Sequence, residues 1–240
     1  MATILAIETS TDACSVALSI DSEVLYRCAN EPRSHTQLVM PMVQEVLAEA
    51  GVKPAQLDII GVSIGPGSFT GLRIGFAVTQ GLAYGADIPV VGVSSLHIMA
   101  QTYLRKYSNS DVSSQSLRIL SLLDARMNQY NCGSYTWDNS VGVNSQQPDC
   151  LLDETELNRL LEQFNPDVII GDVEALFSPS SIYHSRFCLL RPDARDLLDI
   201  ARVDFAAGGA VPIDQLELVY LRGEEAWQQR KPLREVSHAD

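Results

Sequence analysis

The residues best suited to chemistry stand at the ends of apolar runs. In "AIETSTDACSVAL", Glu8, Thr9, Ser10, Thr11 and Asp12 form a turn between two strand-like segments. Hydroxyls and backbone N–H groups in such a turn can hold a phosphate, and an adjacent acid can orient a cation or water. The same residue types also satisfy a tight turn with no ligand. A second stretch, "IGPGSFTGLRIG" (64–75), follows an apolar run and opens a helical pattern, where a phosphate-cradling loop would sit. It is neither G-x-G-x-x-G nor a Walker sequence, because no Lys-Ser/Thr pair closes it. A third acid, Asp124, ends the apolar run "RILSLLDAR" much as Glu8 ends "TILAI".

Other reactive side chains are scattered. His35, His184 and His238 have no sequence-local acid–nucleophile arrangement around them, His97 is solitary, and neither an H-E-x-x-H pattern nor a nucleophile elbow is read. The cysteines (Cys14, Cys28, Cys132, Cys150, Cys188) show no C-x-x-C spacing, so small, partly buried thiols in a reducing compartment are expected. The acid-rich "LDETELNRLLEQF" reads as a solvated helix face. No catalytic, metal or cofactor residue is assigned; Glu8, Thr9, Ser10 and Asp124 remain as weak cleft candidates.

The elements that must position these groups follow from periodicity. "TILAI", "SVALSI" and "EVLYRCA" read as strands, followed by a helix over 35–50 that Gly51 ends. "DIIGVSI" is a buried strand, the glycine loop leads to a helix over 70–86, and "IPVVGV" and "SSLHIMAQTYLRK" give a strand and a helix. The serine-rich "YSNSDVSSQS" reads as a linker. The plan then repeats: "RILSLLDAR", the hairpin "QYNCGSYTWD", a helix over 154–164, the strand "DVIIGD" and a helix over 194–206. Element order thus predicts an α/β fold of two duplicated βββαβα lobes, 1–107 and 108–206. Residues 207–240 are expected to pack back on the first lobe.

Composition narrows the function. The chain has 240 residues, 46% hydrophobic and 20% charged, as ordinary globular proteins do. Its 17 basic against 30 acidic side chains give a formal charge of −13, which disfavours unaided nucleic-acid binding. The first ten residues lack a basic leader and no apolar run approaches a membrane span, so the cytoplasm is expected.

The motif A-I-E-T-S-T with G-P-G-S-F-T-G-L-R-I-G resembles the bacterial TsaB (YeaZ) family, and "VSSL", "LDAR" and "YLR" extend the resemblance along nearly the whole chain. It implies the actin and sugar-kinase (ASKHA) fold, and a subunit of the machinery that places threonylcarbamoyl on adenosine 37 of tRNAs. Implied partners are a second copy, the catalytic paralogue TsaD and the ATPase subunit TsaE, with tRNA met only through the complex. The sequence departs from the superfamily's nucleotide site: neither "ETS" nor "DARMNQ" carries a glycine, and Asp172 follows Gly171. The catalytic paralogue's metal-binding histidine pair aligns with Ser95 and Met99, leaving His97 out of register. The expected role is a non-catalytic scaffold; the alternative is an ATP-dependent phosphotransferase or divergent metallopeptidase of the same fold.

Glycines at 71, 75, 81 and 85 recur every four residues within pairs, a spacing that lets another backbone approach closely. With the wide apolar stripe of helix 35–50, they fit either burial within one lobe or a helical interface with another subunit. The resemblance implies pairing through this half, with Leu38, Val39, Met42, Val43, Val46, Gly71, Leu72, Gly75, Phe76 and Thr79 expected at the interface. Arg73 fits both an anion contact in the cleft and an ion pair at the interface.

Overall fold

The computed structural model describes residues 2–30, 34–111, 116–140 and 142–222. His238 and the last part of the 207–240 segment lie outside the described residues. Strands β1 (Ile4–Glu8), β2 (Cys14–Ile20) and β3 (Glu23–Ala29) form an antiparallel meander in which Glu8 stands opposite Ser15. Helix α1 (His35–Ala50) crosses to β4 (Ile59–Gly65), parallel to β1, and α2 (Phe69–Ala86) crosses to β5 (Val90–Ser94). The first sheet therefore runs β3-β2-β1-β4-β5. Gly51, at φ 66°, stops α1 as its position predicts.

Helix α3 (Ser95–Asp111) continues into the serine-rich segment and leads to β6 (Ser116–Asp124) and β7 (Gln129–Asp138). Next come β8 (Gly142–Ser145), β9 (Cys150–Asp153), α4 (Glu154–Phe164), β10 (Val168–Gly171), β11 (Phe187–Leu189) and α5 (Ala194–Ala206). At the start of α4 the Asp153 carboxylate accepts from Glu156 N at 2.9 Å, and Glu156 returns the bond to Asp153 N at 3.0 Å, a capping box. The second sheet runs β11-β10-β6-β7-β8, with β9 also paired to β7. Strands β6, β7, β10 and β11 thus repeat the places of β1, β2, β4 and β5. This is the duplicated ASKHA-type α/β architecture. The repeat is incomplete, because only short 3-10 turns (Glu174–Leu176, His184–Arg186) join β10 to β11 where the first lobe has α2.

Alternation along each strand assigns the layers. Leu5 and Ile7 face α1 and α2, whereas Ile4 and Ala6 face Leu197, Leu198 and Ala201 of α5. Helix α5, expected with the lobe at 108–206, therefore covers the first sheet. Helix α3, expected with 1–107, sends Leu96, Met99 and Leu104 onto Ile119, Tyr135 and Ile170 of the second. The serine-rich segment divides the strands but not the helices, since apolar faces follow the sheet that has room for them. Arg105 of α3 joins α5 through two bonds to Asp196, at 2.7 and 2.8 Å, and an ion pair to Asp193 at 3.1 Å. The segment after α5 returns to the first sheet, with Val211 bridged to Val90 and Val219 N donating to Ile64 O at 2.8 Å. No helix among the described residues is long and apolar enough to cross a membrane.

Candidate functional site

Glu8 closes β1 with its side chain buried on the α5 side. One carboxylate oxygen accepts from both the backbone N–H and the hydroxyl of Ser10, each at 2.6 Å; the other is buried and unpartnered. Burial, opposed by the Ser10 bonds and reinforced by the charge of Asp193, pushes its pKa up to about 7. Thr9 points the opposite way, towards α2. A β-carbon on Gly71 would overlap the Thr9 carbonyl, and one on Gly75 would overlap its hydroxyl. Ser10 O accepts from Ser68 N at 2.6 Å, and the Ser68 hydroxyl accepts from Gly71 N at 3.2 Å. The glycine loop and the first turn are thus packed on each other, with protein oxygens at the start of α2.

Asp124 stands at the corresponding end of β6, in a separate cluster. Its backbone N–H donates to the Asp172 carboxylate at 2.9 Å, and its own carboxylate accepts from Arg126 N and Arg126 Nη1 at 2.7 and 3.0 Å. Arg126, Met127 and Asn128 are all left-handed, with φ of 65°, 58° and 57°. Arg222, of the "YLR" motif, holds this turn by donating to Ala125 O and Arg126 O at 3.0 Å each. Burial raises the pKa of Asp172. Glu8, Thr9 and Ser10 are brought together; no hydrogen bond or ion pair joins them to Asp124 among the described residues.

Arg73 takes a third role. Its guanidinium lies 3.6 Å over the Phe69 ring, and its Nε donates to Tyr220 Oη at 3.2 Å. It fastens the returning segment to the glycine loop. The sequence signal was present in "YLR", but nothing in it tied Tyr220 to a residue 147 positions earlier.

Ser95 and Met99 are fully buried, Met99 among Leu96, Ala100 and Leu104. A thioether and a hydroxyl facing an apolar core do not fit the metal that a histidine pair would hold there. His97 stacks on Tyr135 with centroids 5.4 Å apart, and burial lowers its pKa to about 4. Asp149, not singled out in sequence, accepts from Tyr135 Oη at 3.0 Å and from the Ser94 hydroxyl, fixing the start of α3. Residues 61–65, GVSIG, carry a G-x-S-x-G spacing. Ser63, however, is fully buried within β4, and its Oγ accepts from Thr9 N at 3.4 Å. It occupies no strand-to-helix elbow.

Most of the residues expected at an interface are buried within the chain. Val39, Val43, Val46, Leu72 and Thr79 are fully buried, and Met42, Gly71 and Gly75 are buried as well. Leu38 and Phe76 keep part of their surface. The exposed side of the two helices carries Met40, Phe69, Ala77, Gly81 and Tyr84, the last 67% exposed.

Two sheets of repeated order, with no glycine in the turns after Glu8 and Asp124, define an ASKHA-type protein without glycine phosphate hairpins. The family model described as "TsaD: tRNA N6-adenosine threonylcarbamoyltransferase" matches residues 29–152. The tRNA threonylcarbamoyladenosine biosynthesis protein TsaB of Escherichia coli (strain K12) is 36% identical over 230 residues, covering 94% of this chain and 96% of that one. A solved Pseudomonas aeruginosa structure described as similar to the peptidase YeaZ is 33% identical with a TM-score of 0.80, covering 92% of this chain and all of that one. A second, described as YeaZ from the same organism, is 31% identical with a TM-score of 0.76 and the same coverage. The chain belongs to the TsaB family. That family is named for tRNA threonylcarbamoyladenosine biosynthesis, and membership places the chain in that process.

Proposed function

We propose that this chain is a non-catalytic subunit of the threonylcarbamoyladenosine machinery, acting by docking to a TsaD-type catalytic subunit. Docking uses the exposed side of α1 and α2, where a second copy of the chain binds when the catalytic subunit is absent. The chain helps recruit an ATPase subunit of the TsaE type, and tRNA is met through the assembled complex.

The observation that carries this reading is that the phosphate-gripping places are occupied by the chain's own groups. The Thr9 carbonyl and hydroxyl fill the close approach at Gly71 and Gly75, and the Asp172 carboxylate takes the Asp124 N–H. The Thr9 carbonyl oxygen at the first position and the Asp172 carboxylate at the second repel a polyphosphate. Calorimetric titration of ATP into the isolated chain is expected to give no binding heat. Micromolar binding would overturn the non-catalytic reading.

A further inference from the structure

The cysteines look unrelated along the sequence, yet the fold sets two of them face to face. In the β7–β9 ladder Cys132 stands directly opposite Cys150. Opposed residues of an antiparallel pair have Cα atoms about 4.5–5.5 Å apart, within the span of about 4.4–6.8 Å that a disulfide bridges. Both thiols are free, and the Cys150 thiol donates to the Cys132 carbonyl oxygen at 3.8 Å.

Their surroundings give them different parts. Cys132 is fully buried with Leu120, Leu122, Leu157 and Leu161. Cys150 is half-buried and opens on a groove of about 350 Å³ lined by Gln147, Leu152, Glu156 and Arg159. The neighbouring Cys132 side chain holds the Cys150 thiol below its ordinary range, whereas the Cys150 side chain and burial hold Cys132 above it. An accessible, more acidic thiol backed by a sheltered one is the arrangement of an attacking and a resolving cysteine.

We propose that Cys132 and Cys150 form a redox-modification site that reacts with low-molecular-weight disulfides of the glutathione class. The Cys150 thiolate attacks one sulfur of the small disulfide and breaks its S–S bond. The first small thiolate leaves and takes up a proton, and the second stays on Cys150 as a mixed disulfide. Cys132 then gives up its proton and attacks the Cys150 sulfur, releasing the second small thiol. Two protein thiols are oxidised to one disulfide and one small disulfide is reduced to two thiols. The product staples β9, and the helix α4 that starts directly after it, onto β7.

The test uses the full chain and oxidised glutathione, followed by alkylation in denaturant, tryptic digestion and mass spectrometry. Arg126 and Arg159 bound a tryptic peptide, 127–159, that contains both cysteines. The expected product is this peptide lighter by two hydrogens, carrying neither alkyl group nor glutathione, and returned to the dialkylated form by prior dithiothreitol. Cys132→Ser is expected to stop at a glutathione adduct on Cys150, and Cys150→Ser to leave Cys132 unreacted. Retention of both thiols in the unmodified chain, or a glutathione adduct on Cys150 with no internal link, would overturn the proposal.

Discussion

The Thr9 hydroxyl occupies the space that a β-carbon on Gly75 would need, one turn beyond the place where the Thr9 carbonyl does the same to Gly71. Around Gly81 and Gly85, on the same helix, there is nothing within reach. The four glycines therefore divide into a pair that admits the chain's own first turn and a pair on open surface.

Substitution should separate the pairs. Gly75→Ala forces Thr9 to move and is expected to destabilise the chain by about 1–3 kcal/mol, the usual cost of overpacking. Gly81→Ala relieves the helix of a flexible residue and is expected to stabilise it by about 0.5–1 kcal/mol. Urea unfolding of both variants is the check, and equal effects would contradict the division.

The buried Glu8 makes stability depend on pH. Its carboxyl titrates at about 7 in the folded chain against a usual value of 4.5, because burial outweighs the bonds from Ser10. The folded state thus binds the proton more tightly than the unfolded state. The stabilisation is complete below about pH 4.5 and is lost as pH rises to about 7. Glu8→Gln keeps the acceptor for Ser10 without the titration. Its stability relative to the unmodified chain should rise by about 3 kcal/mol between about pH 5 and pH 8. A constant difference across that range would show that Glu8 does not titrate there.

Arg105 and Asp196 tie the helix on the second sheet to the helix on the first. Asp196 is 1% exposed, whereas the Arg105 side chain is 32% exposed. Arg105→Ala leaves a buried carboxylate without its cation and should cost about 3–5 kcal/mol. Asp196→Asn should cost less, because the guanidinium can turn to water. Thermal or urea unfolding reads the order of the two, and the reverse order would contradict the account of this link.

The strands and helices were largely legible because local pattern decides them. Helix 35–50 and its Gly51 stop, the alternation of "SVALSI" and the acid-ended strands at Glu8 and Asp124 all followed from spacing. What stayed hidden depends on which surface lies opposite. Glycines at equal spacing carry the same signal whether Thr9 or open space faces them. The apolar stripe holding Val39, Val43 and Val46 reads alike for a partner's helix and for the chain's own sheet. The register setting Cys132 against Cys150, and the crossing that brings α5 back to Ile4 and Ala6, join residues far apart in sequence. Short strand β11 has too little pattern to be read at all.

Position along the helices should decide what a new charge does. Val43→Glu places a carboxylate in the core and is expected to unfold the chain, seen as loss of its far-ultraviolet circular dichroism. Ala77→Glu lies on the exposed side of α2 and should leave the spectrum and melting temperature nearly unchanged. A folded Val43→Glu variant would contradict the placement of that stripe.

Light scattering of the chain mixed with a TsaD-type catalytic subunit, coupled to size exclusion, tests the central claim most directly. A complex is expected with the unmodified chain, and separate peaks with the folded Ala77→Glu variant. No complex with the unmodified chain, or a complex that forms equally well with Ala77→Glu, would contradict it.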